Sequence, residues 1–139
     1  MGSLYQYVPN KEAILFRQQT DDWKRTGALL EGILADANRP PLQRVREVVL
    51  AFFRSEWEEA ALRLALGDAA PAYRDAPEVA EHRNAGKRLT TKFMVQLLPT
   101  ASVNRRRFAG ELLMTVMSSA LAVGDMLCAY LEREMAEVT

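Results

Sequence analysis

The chain has 139 residues, with 18 basic and 18 acidic side chains that balance to a formal net charge of zero. This length is enough for one domain with a substantial core. A net charge of zero gives no reason to expect nucleic-acid binding. The single cysteine, Cys128, excludes an intramolecular disulfide bond. The longest stretch without a charge, Leu112 to Gly124, is too short to span a bilayer, and no basic-then-apolar signal pattern opens the chain. We therefore expect a cytoplasmic protein without a membrane segment.

The first half of the chain predicts two long helices, because its apolar residues recur with helical and not strand periodicity. The first is expected from about Asn10, a good N-cap, to about Ala37. The second is expected to start near Pro41, since proline is accepted in a first turn. Its apolar stripe consists of Val45, Val48, Val49, Phe52 and Phe53, with Trp57 one turn further on.

Three more helices are predicted in the second half. One runs from Glu58 to about Tyr73, the next from about Pro77 to Leu98, and the last from Val103 to Glu137, with Ser102 as its cap. The last helix is apolar on two sides, and such a helix is buried on both. In a chain this small, we expect a partner subunit to cover one of these sides.

The segment from Gly2 to Leu15 reads Gly-Ser-Leu-Tyr-Gln-Tyr-Val-Pro-Asn-Lys-Glu-Ala-Ile-Leu. It resembles a junction in transcription factors of the tetracycline-repressor (TetR) family, where the recognition helix of the helix-turn-helix meets the helix that leads to the ligand-binding domain. The resemblance implies an all-α fold. Residues 1–9 would be a remnant of the recognition helix, and residues 10–139 a TetR-like C-terminal ligand-binding and dimerisation bundle. The first two DNA-binding helices of the family would be absent from this sequence.

The resemblance also implies which residues face DNA. Tyr5 and Gln6 would approach the major groove, whereas Tyr7 and Lys11 would hold phosphates. The alternative for Tyr7 is that it packs on neighbouring apolar residues. We expect no specific DNA binding by these few residues without supporting helices. The implied DNA-binding positions are Gly2, Ser3, Tyr5, Gln6, Tyr7 and Lys11.

Large aromatic and methionine side chains are spread over every predicted helix. Pockets in helical bundles are mostly apolar, and methionines adapt to ligands of varied shape. By resemblance to the family, part of this set would line a pocket for a small apolar inducer; the alternative for any one residue is that it fills the core. The candidate pocket residues are Trp23, Phe52, Phe53, Trp57, Tyr73, Phe93, Met94, Met114 and Met117.

The last predicted helix carries a candidate dimer interface. Family members end with two helices that form a four-helix interface with those of the partner. Here the polar connection between the two is missing between about Ser118 and Gly124, and a deletion there would fuse them into one long helix. The candidate interface residues are Phe108, Leu112, Val116, Ser119, Val123, Met126 and Tyr130.

The remaining polar residues give no sign of catalysis. The sequence shows no nucleophile–base pair, phosphate-binding glycine loop or metal cluster, so we expect neither an enzyme nor a cofactor. His82 follows Glu78 by one turn, a spacing that can hold a metal, but a solvated helix face is the better interpretation. The run Arg105–Arg107 is interpreted as solvated, and Cys128 as a buried, inert thiol.

These observations, together with the resemblance, predict a ligand-responsive, one-component transcriptional regulator that acts as a repressor. Its partners would be a second copy of the chain, operator DNA in a full-length parent, and a small apolar inducer. The alternative is a homodimerisation module that binds neither ligand nor DNA. A solvent-accessible cavity would favour the sensor, and a fully packed core would favour the module.

Overall fold

The computed structural model of the chain describes residues 10–67 and 70–138, and these form helices with no strand among them. The all-α class predicted from the periodicity is therefore confirmed. In chain order the helices are α1 (Lys11–Ala35), α2 (Pro41–Glu58), α3 (Ala60–Leu66), a 3₁₀ turn (Ala70–Tyr73), α4 (Pro77–Leu97) and α5 (Val103–Val138).

The chain divides into two compact units, the first ending at Leu89 and the second starting at Thr90. In the first unit, α1 packs against both α2 and α3. In the second unit, the last turns of α4 meet α5 at Gly110, which is buried. A Cβ atom at Gly110 would lie 3.2 Å from Cγ2 of Thr90 and 3.6 Å from Cγ of Met94. Glycine thus allows the backbone of α5 to approach α4 closely.

The predicted helix starts are confirmed by their caps. Oδ1 of Asn10 accepts a hydrogen bond from the backbone N–H of Ala13 at 2.7 Å. Pro41 occupies the first turn of α2, and Oγ of Ser102 accepts from the backbone N–H of Arg105 at 3.3 Å. Each of these residues supplies what an exposed helix N-terminus needs, an acceptor for a free N–H or a residue that has no N–H.

Several predicted boundaries differ from the structure; the third helix, for example, starts at Ala60 and not at Glu58, which still belongs to α2. α1 ends at Ala35, two residues early, because the Asp36 side chain accepts from the backbone N–H of Asn38 at 3.0 Å and so stabilises a turn instead of another helical residue. The single helix predicted up to Tyr73 is interrupted after Leu66, where the chain continues into a separate 3₁₀ turn that contains Pro71. Proline lacks the N–H that a continuous helix would need there.

A buried arginine closes the corner between α1 and α2. Arg44 is only 6% exposed. Its Nη1 donates to the carbonyl of Leu34 at 2.7 Å, and its Nε donates to the carbonyl of Arg39 at 3.0 Å. The last carbonyls of a helix have no partner within the helix, so Arg44 satisfies groups that burial would otherwise leave unpaired. On the outside of the corner, Arg39 pairs with Asp36 at 3.0 Å and also with Glu47.

The corner between α4 and α5 uses the same device. Nε of Arg106 donates to the carbonyl of Leu98 at 2.8 Å, and its Nη2 donates to the carbonyl of Pro99. Arg106 is half-buried, whereas Arg105 and Arg107 are exposed. The predicted solvated run is therefore correct at its two outer positions only, because the middle arginine turns back onto the end of α4.

The corner between α2 and α3 is held by a polar contact with α1. Oγ1 of Thr26 donates to Oε1 of Glu59 at 3.2 Å. Burial raises the pKa of the Glu59 carboxyl above its ordinary value, and the hydrogen bond from Thr26 partly opposes that shift. The carboxylate is thus held at this corner at an electrostatic cost near neutral pH.

Much of α5 is apolar and exposed in the single chain. Exposure reaches 69% at Phe108 and 73% at Met126. Cys128 is exposed as well, which corrects the expectation of a buried thiol, because the described residues leave this half of α5 largely uncovered. By length and composition α5 could also cross a membrane, with a mean hydropathy of 1.7 over 18 residues. One such helix is weak support for a membrane span, since core helices of soluble proteins pass the same test.

Replacing Arg44 tests the α1–α2 corner. Arg44→Met keeps the apolar stem but leaves the buried Leu34 carbonyl without this donor, so we expect a loss of about 1–3 kcal/mol in the free energy of unfolding. The measurement is urea unfolding followed by circular dichroism at one fixed protein concentration. Arg46→Met is the matched control, because Arg46 is exposed on the same helix, and its effect should stay within about 0.5 kcal/mol. Equal losses in both variants would contradict the role of Arg44.

Candidate ligand-binding site

The first unit contains a cleft between α1, α3, the 3₁₀ turn and the start of α4. Its volume is about 460 Å³, within the usual range of small-molecule sites. The surface is mainly apolar, with polar side chains at a few places. The lining residues are Phe16, Gln19, Trp23, Arg63, Leu66, Gly67, Pro71, Tyr73, Arg74 and Val79.

Three aromatic rings form one wall of the cleft. The rings of Phe16 and Tyr73 are stacked, with centroids 4.3 Å apart and planes at 12°. The Phe16 ring also meets Trp23 edge to face, at 6.3 Å and 90°. Phe16 and Trp23 share a face of α1 because they are two helical turns apart. Aromatic pairs in these geometries are stabilised beyond their buried area, so the contact with Tyr73 also positions the 3₁₀ turn against α1.

His82 supports this wall from α4. Its imidazole ring stacks on the Trp23 indole, with centroids 4.5 Å apart and planes at 13°. Desolvation by this packing lowers the pKa of His82 below its ordinary value of 6.5. The residue as a whole remains exposed, as a solvated helix face predicts, but its ring makes a specific contact that the sequence did not indicate. Within the described residues no group of metal-ligating side chains occurs.

Two arginines line the cleft, of which Arg63 is paired with a carboxylate and Arg74 is exposed. Nη1 of Arg63 donates to the carboxylate of Glu56 at 2.6 Å and to the Glu56 carbonyl at 2.8 Å. Arg74 is exposed and follows Tyr73 directly in the chain. Gln19 adds an amide that can donate and accept hydrogen bonds. The cleft can therefore hold an apolar body and contact a polar group at its edge.

The structure brings only part of the predicted pocket set to this cleft, namely Trp23 and Tyr73. Phe52 and Phe53 meet edge to face on α2 at 5.4 Å, and Trp57 is 76% exposed. The other members lie in the second unit, where Phe93, Met94 and Met117 are buried. The Sδ atom of Met114 accepts a hydrogen bond from Oγ1 of Thr90 at 3.4 Å. Their part in ligand binding stays a prediction.

Several lining residues were not singled out in the sequence. Phe16 carried a usable signal, because it lies two helical turns before Trp23 and so on the same face of α1. Arg63, Arg74 and Val79 carried none, because they lie on α3, directly after the 3₁₀ turn and on α4, and they come together only in the folded chain. A tertiary arrangement of this kind is not visible in local periodicity.

The other predicted sites have the following positions. Lys11 is exposed in the first turn of α1, and the implied DNA-binding residues Gly2, Ser3, Tyr5, Gln6 and Tyr7 lie outside the described residues. All seven candidate interface residues are exposed along α5. Two of them, Phe108 and Leu112, also line a hollow of about 620 Å³ at the turn between α4 and α5. These assignments remain predictions.

The His82–Trp23 stack predicts a pH-dependent stability. The folded chain takes up the imidazole proton at lower pH than the unfolded chain does. Below about 6.5 the unfolded state therefore binds more protons, and stability falls as the pH falls towards the folded pKa. His82→Gln removes this contribution. As the pH falls from about 7.5 to about 5.5, the unfolding free energy of the variant should therefore rise relative to that of the native chain.

Urea unfolding of both proteins across this range is the measurement. The raised pKa of Glu59 acts in the opposite direction but is present in both proteins and cancels in the difference. A constant difference across the range would show that the stack does not perturb the histidine.

Comparison with known proteins agrees with this architecture. A family model described as the tetracyclin repressor-like C-terminal domain matches residues 40–121, more than half of the chain. No curated protein matches the chain. Regulators of this family are soluble cytoplasmic proteins and not enzymes. From the family match over residues 40–121 together with the all-helical fold, the chain belongs to the tetracycline-repressor family of transcriptional regulators.

Proposed function

We propose that this protein is a ligand-responsive repressor in which the aromatic cleft of the first unit binds the inducer. The observation that supports the proposal is the cleft itself, an apolar site of ligand size with α1 as one wall. By resemblance, α1 follows the segment that contacts DNA. A ligand that binds better to one position of α1 than to another shifts the population between them, and through it the affinity for the operator.

We also propose that the protein acts as a homodimer through α5. The face marked by Phe108, Leu112, Val116, Val123 and Met126 is between 52% and 73% exposed at these positions. Their spacing of three, four or seven residues keeps them on one side of the helix. Apolar surface of this extent is typical of protein interfaces, and a repressor that reads two operator half-sites needs two copies.

The second candidate is the homodimerisation module without ligand or DNA. The exposed face of α5 supports it as strongly as it supports the sensor. The two candidates differ in what they predict for the cleft: the sensor binds its ligand there, whereas the dimerisation module does not use it. Ligand binding in the cleft is therefore the property that decides between them.

Filling the cleft tests the ligand site. Val79 is half-buried and lines the cleft from α4, so Val79→Trp should occupy the space of a ligand. The neutral fluorescent dye N-phenyl-1-naphthylamine should bind the native chain saturably and raise its unfolding temperature. We expect at least about tenfold weaker binding by Val79→Trp, because overpacking a filled site is costly.

Val95→Trp is the matched control, because Val95 is 49% exposed on the same helix and does not line the cleft. This variant should bind the dye like the native chain. Dye binding that is absent in the native chain, or that survives Val79→Trp unchanged, would favour the dimerisation module.

Charges in the α5 face test the dimer. The double variant Val116→Asp, Val123→Asp places two carboxylates in the apolar face, and burying them unpaired is strongly unfavourable. Light scattering should give twice 15.6 kDa for the native chain and 15.6 kDa for the variant. Val95→Asp, on α4, should leave the mass unchanged, and circular dichroism should verify helicity in all three proteins. A native monomer would refute the proposed interface.

A further inference from the structure

We infer that the ligand of the aromatic cleft is a flat aromatic carboxylate whose acid group is held by Arg74. This inference rests on the proposed function, since it specifies the chemistry of the same site. It depends on three features of the cleft: its charge, the different states of its two arginines, and the geometry of its rings.

The charge of the cleft favours an anion. Its described lining residues include two arginines and no acidic side chain. The charge of Arg63 is paired with Glu56, so Arg74 carries the positive charge that a ligand can meet in the described lining. An anionic group can pair with it, a neutral group cannot, and a cationic group would be repelled.

Arg74 is the arginine that can bind the acid group. The Arg63 guanidinium already contacts the Glu56 carboxylate, at 2.6 Å, so its charge is largely compensated. The Arg74 guanidinium forms no hydrogen bond or ion pair with the residues that the structure describes. Its planar fork of N–H donors matches the two oxygens of a carboxylate. The exposed position of Arg74 lets the acid group remain partly hydrated while the rest of the ligand enters the cleft.

The rings of the cleft favour a flat, aromatic body. Phe16 and Tyr73 are parallel within 12°, and the Trp23 ring stands at right angles to Phe16. An incoming ring can therefore find both faces and edges, the two arrangements that aromatic pairs prefer. Arg74 lines the same cleft as Tyr73, so a ligand whose ring lies on the aromatic wall can present a carboxylate to the guanidinium.

The probes are 2-naphthoate, its neutral amide 2-naphthamide, and the saturated decahydro-2-naphthoate. Titration calorimetry of the native chain should give at least about tenfold tighter binding for 2-naphthoate than for 2-naphthamide, the size expected for a hydrogen bond to a charged group. Binding of 2-naphthoate should also be tighter than that of the saturated acid, which keeps the carboxylate but cannot stack on the aromatic wall. Arg74→Gln should remove the preference for naphthoate over naphthamide and leave naphthamide binding unchanged. Arg88→Gln is the control, because Arg88 is an exposed arginine of α4 outside the cleft, and it should retain the full preference.

The outcomes separate this inference from the proposed function. If naphthamide binds as tightly as naphthoate, or Arg74→Gln keeps the preference, the inference of an anionic ligand is wrong. The proposed ligand site is then unaffected. If the saturated acid binds as tightly as naphthoate, the flat aromatic body is wrong. If neither these probes nor N-phenyl-1-naphthylamine bind the native chain, the ligand site itself fails, and the inference with it.

Discussion

The arrangement of the first unit depends on the hydrogen bonds of Arg44. A helix leaves its last carbonyls without partners, and burying them costs free energy unless a donor is supplied. α1 has no basic residue in its own last turn, so the donor comes from the next helix. Arg44 bonds the carbonyls of Leu34 and Arg39, which fixes the start of α2 against the end of α1. With that corner set, α2 returns along α1 and delivers α3 to the place where it closes one side of the cleft. Arg106 repeats the arrangement between α4 and α5, so both corners rest on an arginine in the first turn of the following helix.

α1 serves two structural purposes with two different faces. Its contacts with α2 and α3 belong to the core, where Leu34 and Thr20 are buried. Its aromatic face instead meets Tyr73 and His82, which come from later parts of the chain. The stacked pairs are in direct contact, with ring centroids 4.3 Å apart for Phe16 and Tyr73 and 4.5 Å apart for Trp23 and His82. These contacts set the position of the 3₁₀ turn and the start of α4 against α1, and the cleft is lined by the same aromatic face of α1. The neutral form of His82 fits this packing, and its lowered pKa is the electrostatic counterpart of the same contact.

The sequence predicted the elements better than it predicted the site, for a physical reason. Helix starts depend on one or two neighbouring residues, so Asn10, Pro41 and Ser102 were sufficient to place them. The helix end at Leu66 was missed although Pro71 was visible, because a proline removes a helical N–H at its own position but does not determine how far before it the helix ends. The cleft depends on contacts between residues that are far apart in the sequence, such as Phe16 with Tyr73. Periodicity indicates that a residue faces inward but not which residue it meets there. For this reason aromatic content identified Trp23 and Tyr73 but gave no indication of Arg63 or Arg74.

The two proposed activities lie in different units, and α4 is the described helix that belongs to both. Its first turns carry Val79 and His82, which line or support the cleft, while its last turns carry Thr90 and Met94, which contact α5 around Gly110. A Cβ atom at Gly110 would press on the Thr90 methyl group at 3.2 Å, so within the second unit the close approach of the two helices depends on glycine at this position. Within the first unit, the rings of Tyr73 and His82 stack on Phe16 and Trp23 of α1. On the proposed function, a ligand that enters between these rings acts directly on α1. By resemblance, α1 is also the helix that follows the DNA-contacting segment, so a shift of α1 is the movement by which the ligand would alter operator binding.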